Sequence, residues 1–352
     1  MKTLKNITLS SMFLSIAAST ALLSACGGGN ATSGTPNSQQ DIAVSTWNVV
    51  GLKSLVFTQQ LILDKSESTA PTLYAIANNG VFKIAADAKY DVPWVKLGSD
   101  KYGWTTGVVD SIEGQGSVFA TTGDDNIYQT SINQQESWVA ITPNPNQSQW
   151  HSLALSDDKS ILYAGDNQGR IYSISTANPT GKWIQVGSQI PSSNPIIIAI
   201  TIDSNHNIYA ANFNSVYKLI GNQWTLISSN SQYSIQGGSI EQLLIANNSN
   251  TLYAIADPQN SIFSALSTSE SSPWTIVGSV FSNQLFGAAI NDSQTSLYAA
   301  NATQIQQIST QGGTWQNFGP KLPTTIGQLN SIIAGNLHVY FFDVNGQVYR
   351  GD

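Results

Sequence analysis

The most regular feature of the sequence is a short tripeptide, in which an apolar residue is followed by an aromatic and then a small residue. It recurs at intervals of 42 to 46 residues, and the last copy has lost its small residue. A fixed period of this length is typical of proteins built from repeated structural units. The copies are Leu73-Tyr74-Ala75, Val118-Phe119-Ala120, Leu162-Tyr163-Ala164, Ile208-Tyr209-Ala210, Leu252-Tyr253-Ala254, Leu297-Tyr298-Ala299 and Val339-Tyr340-Phe341.

Three further elements accompany each tripeptide. A more apolar run precedes it, as in Ile196–Ile200, and an apolar–aromatic pair such as Ile171-Tyr172 follows it after a polar turn. A tryptophan then opens an alternating run, as in Trp183–Gly187. Short alternating segments separated by Gly, Asn, Asp or Ser predict β-hairpins. Each unit therefore predicts four strands, named A (apolar), B (tripeptide), C (second aromatic) and D (tryptophan).

The two ends of the chain complement each other. The last repeat stops at Asp352 without its tryptophan strand, whereas Trp47–Gly51 is a tryptophan strand with no repeat before it. Pairing the two ends removes two open sheet edges. Four-stranded units at this period are typical of propeller blades. We therefore predict an all-β, seven-bladed β-propeller over residues 45–352, with four-stranded antiparallel blades and the N-terminal strand completing the last blade.

The segments between strands C and D carry a family resemblance. They resemble degenerate Asp-boxes, the BNR repeats of sialidase-like and sortilin-like propellers, although the aspartate of that motif is missing. The tryptophan before an apolar-x-Gly run is also similar to tectonin-type repeats. The resemblance implies the propeller fold and the position of the C–D turn. The segments are 131–138, 267–274 and 309–315.

The first residues have the pattern of a bacterial lipoprotein signal. Lys2 and Lys5 precede an apolar stretch that ends in Leu23-Ser24-Ala25-Cys26, and Cys26 is the only cysteine. This pattern indicates a secretory signal peptide over residues 1–25 and resembles a lipobox. The resemblance implies an acylated Cys26 and, with Gly27 in place of Asp, an outer-membrane lipoprotein of the cell envelope. Residues 26–44 are polar and small, which predicts a flexible tether.

Composition excludes several classes of function. The chain has 14 Lys and Arg against 21 Asp and Glu and no basic run, so nucleic-acid binding is not expected. Its two arginines, Arg170 and Arg350, cannot form the three-arginine clamp of a sialidase. A single cysteine allows no internal disulfide. The membrane is expected to be a partner only through the lipid anchor.

No metal site or catalytic group is predicted. The repeat places His206 and His338 in turns before strand B and His151 at the start of an A strand, at the opposite end of the ring. Asp203–Asn207 imitates the start of a calcium loop, but it lacks the glycine and the glutamate of that motif. A plain turn between strands A and B explains this segment. We therefore expect neither a cofactor nor a catalytic triad.

One set of residues is a candidate ligand rim. In propellers the D–A and B–C loops lie on one face, around the mouth of the channel. Trp104 and Trp150 are the two tryptophans outside the D position, so the repeat does not require them. The alternative is that aspartates favour turns and the tryptophans cap the A strands. The D–A loops supply Tyr102, Trp104, Trp150 and Tyr233; the B–C loops supply Asp124, Asp125, Asp166, Asp257 and Asp343, with Arg170 beside them.

Two functions remain open at this stage. The absence of a convergent catalytic set favours a lipid-anchored, non-catalytic binding or scaffold propeller with a protein or glycan partner. The alternative is a carbohydrate-binding or carbohydrate-active propeller, resembling hydrolases, lyases or lactonases, that uses the acidic and aromatic rim. Similarity to lipoprotein propellers that assist outer-membrane protein assembly exists at the level of the fold alone.

Overall fold

The computed structural model describes residues 44–352 apart from 57, 67–70, 99–102, 113, 123–125, 134–136, 229–238, 258–259, 268–272, 324–325, 327–328 and 336. Within these residues the chain forms 28 strands, which pair into seven antiparallel sheets of four. One turn of 3-10 helix, Asn247–Ser249, follows an A strand. The prediction of an all-β, seven-bladed propeller is confirmed.

Blades 1 to 3 each consist of four consecutive strands that pair in chain order. Their A strands have six or seven residues, whereas their D strands have only two or three. Short outer strands leave little open edge for pairing with another chain. Blade 1 contains β2 (Thr58–Asp64), β3 (Thr72–Ala77), β4 (Gly80–Ala85) and β5 (Val95–Leu97); blade 2 contains β6 (Thr106–Ile112), β7 (Gln115–Thr121), β8 (Ile127–Ser131) and β9 (Val139–Ala140); blade 3 contains β10 (Trp150–Leu155), β11 (Ile161–Asp166), β12 (Ile171–Ser175) and β13 (Ile184–Gln185).

Blades 4 to 6 follow the same order, with one extended outer strand. The D strand of blade 6 has seven residues, because the hairpin turn before it tightens at Gly312. Blade 4 contains β14 (Ala199–Ile202), β15 (Ile208–Asn212), β16 (Ser215–Ile220) and β17 (Gln223–Leu226); blade 5 contains β18 (Ser239–Ala246), β19 (Thr251–Asp257), β20 (Ser261–Leu266) and β21 (Thr275–Ile276); blade 6 contains β22 (Leu285–Ile290), β23 (Ser296–Asn301), β24 (Ile305–Ser309) and β25 (Gly312–Phe318).

Blade 7 joins the two ends of the chain. Its strands β26 (Leu329–Ala334), β27 (Val339–Asp343) and β28 (Val348–Gly351) are completed by β1 (Trp47–Val50), in the order β1-β28-β27-β26. Trp47 pairs with Gly351, and the Ser45 amide donates to the Asp352 carbonyl at 2.7 Å. The predicted closure by the N-terminal tryptophan strand is confirmed.

The A strands form the inner ring, since each contacts the A strands of the blades on either side. The hydrophobic core is divided into seven clusters, one between each pair of neighbouring blades. The small residue after each B-strand aromatic is fully or nearly fully buried, because a methyl group allows two sheets to pack closely. These residues are Ala75, Ala120, Ala164, Ala210, Ala254 and Ala299.

The D-strand tryptophans connect neighbouring blades by hydrogen bonds. The Trp183 Nε1 donates to the Thr142 carbonyl at 2.7 Å, and Thr142 follows the D strand of the preceding blade. Trp47 of blade 7 makes the same bond to the Pro320 carbonyl at 2.9 Å, and Pro320 follows the D strand of blade 6. Each of these indole N–H groups therefore has its acceptor in the preceding blade. The other described donor–acceptor pairs are Trp138 to Leu97, Trp224 to Val186, Trp274 to Ile227 and Trp315 to Val277.

Candidate functional site

The predicted rim is only partly covered by the described residues. Tyr102, Tyr233, Asp124 and Asp125 lie outside them, as do Cys26 and the whole signal and tether segment. Asp257 ends strand β19, and nothing is described of its side chain. The rim residues whose side chains are described are Trp104, Trp150, Asp166, Asp343 and Arg170.

Trp104 and Trp150 are buried, with 1% and 0% of their surface exposed. The Trp150 ring lies 5.0 Å from the Trp183 ring and meets the Tyr172 ring edge to face at 5.8 Å. Trp104 repeats this arrangement one blade earlier, 4.3 Å from Trp138. The prediction that these two tryptophans are exposed anchors is wrong, because each fills the space between two blades beside the D-strand tryptophan.

Asp166 is also buried, and its carboxylate shapes the B–C turn of blade 3. The carboxylate accepts hydrogen bonds from the Gln168 and Arg170 amides, both at 2.8 Å, and from the Ser148 hydroxyl at 2.7 Å. The Arg170 side chain donates through Nε at 2.9 Å and so compensates the buried charge. All of these partners belong to the protein, which explains a buried aspartate without a ligand.

The same turn recurs in other blades. Asp343 is 2% exposed and accepts from the Asn345 and Gln347 amides, each at 2.9 Å. In blades 4 and 6 the equivalent positions are Asn212 and Asn301, whose side-chain oxygens accept from the turn amides. The described rim carboxylates are therefore turn-forming groups. They lie in separate blades and do not converge on one point.

The histidines lie where the repeat places them. His206 occupies the A–B turn of blade 4 with a left-handed φ of 63°, and His338 lies in the A–B turn of blade 7. Asp203, which opens the calcium-like segment, accepts from the Asn205 and Asn207 amides at 2.9 and 2.8 Å, so this segment is a capped turn. In the part of the chain that is described, no cluster of three or more His, Cys, Asp or Glu side chains could hold a metal ion.

A feature that the sequence pattern did not reveal is a β-bulge at the start of five A strands. In β10 the pairing jumps from Trp150 to Ser152, so His151 occupies no position in the ladder. A bulge leaves one residue unpaired and redirects its side chain. The same shift occurs at the same level in blades 1, 5, 6 and 7, and the extra residues are Gln59, His151, Glu241, Phe286 and Asn330.

The bulged side chains of Gln59, His151 and Glu241 are partly exposed, whereas the residues on either side of each are buried. His151 lies between Trp150 and Ser152, both at 0% exposure, and Gln59 likewise separates two fully buried residues. These register shifts lie on the innermost strands, at the end that meets the D–A and B–C loops. Burial lowers the pKa of His151 below its usual value, and the neighbouring Asp166 carboxylate opposes this shift.

The opposite end of the channel is crossed by ion pairs between A–B turns. Lys65 of blade 1 pairs with Asp292 of blade 6. Lys159 of blade 3 lies 3.9 Å from the Asp64 carboxylate of blade 1. Each pair connects two blades that are not adjacent. Burial raises the pKa of Asp110, which lies at the end of the blade 2 A strand, and Lys159 opposes that shift.

Comparison with known proteins identifies the fold. No family model matches the chain, and no curated protein sequence matches it. The chain is similar to virginiamycin B lyase from Staphylococcus aureus, with a TM-score of 0.62 and 12% identity over 86% of this chain and 94% of that one. It is also similar to the β-propeller domain of Cps50 (Swd1) from Myceliophteria thermophila, with a TM-score of 0.66 and 9% identity over 87% and 99% of the two chains.

A third similar structure is the WD40 β-propeller domain of Doa1, with a TM-score of 0.65 and 8% identity over 88% of this chain and 96% of that one. At such identities the likeness shows the fold alone. The chain is a seven-bladed β-propeller. None of the described helical segments is long and apolar enough to cross a membrane.

Proposed function

We propose that this protein is a lipid-anchored, non-catalytic binding or scaffold propeller of the bacterial outer membrane. The observation that carries the proposal is the arrangement of the N-terminal sequence. The only cysteine ends a lipobox-like segment at residue 26, and the first strand of the described residues begins at Trp47. The intervening residues are small and polar, as a tether between a lipid and a folded domain requires.

The non-catalytic part of the proposal is supported by the described rim. Catalysis by carboxylates requires a pair of groups with different environments that face one substrate. Asp166 and Asp343 instead each accept hydrogen bonds from the amides of their own turns. Burial of Trp104 and Trp150 removes two aromatic groups from the acidic and aromatic rim on which the carbohydrate alternative depended.

The anchor is tested by moving the cysteine. Cys26→Ser is expected to abolish labelling by radioactive palmitate and to release the protein from membranes, or to leave the signal peptide uncleaved. A matched control combines Cys26→Ser with Ser33→Cys, which restores one thiol outside the lipobox and should not restore labelling. Membrane association and palmitate labelling unchanged in Cys26→Ser would overturn the proposed anchor.

The scaffold role is tested in the membrane itself. A scaffold held by a lipid should be crosslinked to the same envelope proteins in repeated experiments on intact cells, and Cys26→Ser should lose those crosslinks while the propeller stays folded. Crosslinks that survive release from the membrane would show that binding does not require the anchor. The absence of any reproducible crosslinked protein would overturn the scaffold role.

A further inference from the structure

Large apolar side chains are exposed at the junction between blade 7 and blade 1, where the ring closes. Leu52 follows β1 in the D–A loop of this junction, and 46% of its surface is exposed. Tyr90 and Val92 lie in the C–D loop of blade 1 and are 68% and 38% exposed. Proteins expose single apolar side chains routinely, whereas a group of them on one surface indicates an interaction site.

Backbone hydrogen bonds hold these two loops against each other. The Leu52 amide donates to the Val92 carbonyl at 2.8 Å, and the Gly51 amide donates to the Lys89 carbonyl at 3.2 Å. The Val92 amide donates to the same Lys89 carbonyl at 3.1 Å, which closes the turn that contains Tyr90. The exposed apolar residues of the two loops are therefore neighbours in the folded protein, although about 40 residues separate them in the sequence.

Basic side chains accompany the apolar ones. Lys53 and Lys89 are both exposed, one in each loop. The C–D loop also contains two aspartates, of which Asp87 interacts electrostatically with Arg350 of blade 7, whereas Asp91 is exposed. The chain as a whole has 21 acidic residues against 14 basic ones. The junction is therefore less negative than the protein on average, and an anionic surface would repel it least.

The junction also lies close to the point where the chain enters the propeller. β1 has four residues and spans about 13 Å, and Leu52 follows it by two residues. Seventeen residues, 27–43, separate Cys26 from Val44. A flexible chain of that length has a root-mean-square end-to-end distance of roughly 20–25 Å. An acylated Cys26 would therefore hold this side of the ring near the bilayer.

We propose that this surface, here called the junction patch, docks onto the lipid bilayer. The junction patch consists of Leu52, Tyr90 and Val92 together with Lys53 and Lys89. Tyrosine and aliphatic side chains are favourable at the level of the lipid headgroups, and lysines are attracted to anionic phospholipids. The inference rests on the proposed lipid anchor and adds which side of the propeller faces the membrane. Because the anchor keeps the effective concentration of lipid high, a small patch is sufficient.

The orientation is tested on the full-length lipidated protein in vesicles of phosphatidylethanolamine and phosphatidylglycerol that contain a brominated lipid. Acylated Cys26 has no free thiol, so Ser54→Cys provides one labelling position beside Leu52, and Gln185→Cys provides another on the outer strand of blade 3. Bromine quenches a fluorophore only at short range. The fluorophore at residue 54 is expected to be quenched about threefold or more as strongly as the one at residue 185.

The apolar part of the patch is tested by a double variant. Leu52→Ser combined with Tyr90→Ser should reduce quenching at residue 54 to the level at residue 185. The matched control is Ile184→Ser, which removes a side chain that is 67% exposed on blade 3 and should leave quenching unchanged. All of these positions are exposed, so thermal unfolding of the variants should stay close to that of the wild type.

The charged part is tested by reversing the two lysines. Lys53→Glu combined with Lys89→Glu should reduce quenching on the vesicles that contain phosphatidylglycerol, because the glutamates repel its phosphate groups. The same variant should be quenched like the wild type on vesicles of phosphatidylcholine alone, which carry no net charge. An equal reduction on both kinds of vesicle would exclude an electrostatic role for the lysines.

The outcomes distinguish the patch from the anchor. Protein that floats with the vesicles but is quenched equally at residues 54 and 185 would overturn the junction patch and leave the anchor intact. Protein that does not float would overturn both. Sedimentation in detergent tests the remaining occupant: a dimer that becomes a monomer in the Leu52→Ser and Tyr90→Ser double variant would assign this surface to a second copy of the chain, and the membrane assignment would be wrong.

Discussion

At the scale of single residues, the buried aromatic side chains carry much of the stability of the molecule. Trp104 and Trp150 each contact a C-strand tyrosine and a D-strand tryptophan of their own blade. In the described structure the Trp150 Nε1 is buried without a hydrogen-bond partner. Its contribution is therefore packing and apolar burial, which depend on ring volume.

Trp150→Ala is expected to lower the free energy of unfolding by about 3–5 kcal/mol, since it opens a large cavity between blades 2 and 3. Trp150→Phe should cost less, because the phenyl ring leaves a smaller cavity and the Nε1 that it removes has no hydrogen-bond partner. Ile184→Ala, at an outer position that is 67% exposed, is the control and should change stability by less than about 0.5 kcal/mol. Urea denaturation measures all three, and a Trp150→Ala protein as stable as the control would contradict the packing role.

Two glycines with left-handed backbone, Gly278 after the D strand of blade 5 and Gly221 in the C–D turn of blade 4, are a second residue-scale feature. Gly278 has a φ of +68°, and a Cβ there would lie 2.7 Å from the Trp315 ring. Gly221 has a similar φ of +60° but nothing within 4 Å. Substitutions at Gly221 and Gly278 therefore distinguish the cost of backbone strain from the cost of a steric conflict with the tryptophan of the next blade.

Gly221→Ala is expected to cost about 1 kcal/mol through left-handed backbone strain alone. Gly278→Ala should cost more, since the methyl group must also displace the Trp315 indole and weaken its bond to the Val277 carbonyl. Thermal unfolding of the two variants provides the test. Equal losses of stability would mean that the indole moves at no cost.

At the scale of elements, the B–C turns of blades 3, 4, 6 and 7 are each organised by one side-chain oxygen. Asp166 accepts hydrogen bonds from two backbone amides of its turn and compensates the positive charge of Arg170. Asn212 and Asn301 accept the same kind of hydrogen bond in their turns without carrying a charge. The side-chain oxygen is common to all three turns, while the ion pair is particular to blade 3.

Asp166→Ala is expected to destabilise the protein by about 3 kcal/mol or more, since it leaves the partly buried Arg170 without its partner. Asp166→Asn keeps an acceptor for the turn amides and should cost less. Combining Asp166→Asn with Arg170→Gln, so that no charge remains uncompensated, should recover part of the loss. If the double variant loses more free energy of unfolding than the two single variants together, the charge pair is not the cause of the destabilisation.

At the scale of the whole molecule, the ring is closed by β1 and by a polar cluster at the C-terminus. Arg350 donates to both carboxylate oxygens of Asp352, each at 2.6 Å, and Asn48 of β1 donates to the same carboxylate at 3.0 Å. The Arg350 hydrogen bond is the main reason that the pKa of Asp352 is lowered below its usual value. The carboxylate thus links the strands that close the ring.

A lowered pKa in the folded state means that Asp352 stabilises the protein above the unfolded value of about 3.9, and that this contribution is lost as the pH falls through the folded pKa. Asp352→Asn is therefore expected to lower the melting temperature at pH 7. The difference from wild type should shrink steadily below about pH 4. Melting curves across this range provide the measurement, and a difference that does not change with pH would exclude the carboxylate charge as its origin.

Deleting residues 45–51 is expected to lower stability sharply, because it removes β1 and opens the edge of β28. Loss of one large buried side chain alone costs about 3–5 kcal/mol, against a total stability of about 5–15 kcal/mol. The control deletes residues 27–40, which belong to the predicted tether, and should leave the melting temperature unchanged. An unchanged melting temperature in the 45–51 deletion would mean that closure contributes little.

The sequence by itself determined the repeat, the number of blades and the closure through Trp47–Val50. These properties follow from local hydrophobic alternation and turn chemistry, which every blade repeats. The candidate site could not be predicted from these local patterns. Trp104 and Trp150 looked functional because the repeat did not require them, yet neighbouring sheets bury them completely. Burial is decided by how separate sheets pack, and sequence spacing does not encode that packing.

The β-bulges are a second feature that sequence spacing could not predict. Nothing in the local sequence distinguishes His151 or Glu241 from its neighbours, since a bulge is a shift in register between two strands. Register is settled only when both strands and the next blade are in place, as the Gln242 contact to Ala288 shows. The tertiary structure therefore decided where the strand register shifts, whereas the sequence decided that there would be seven four-stranded blades.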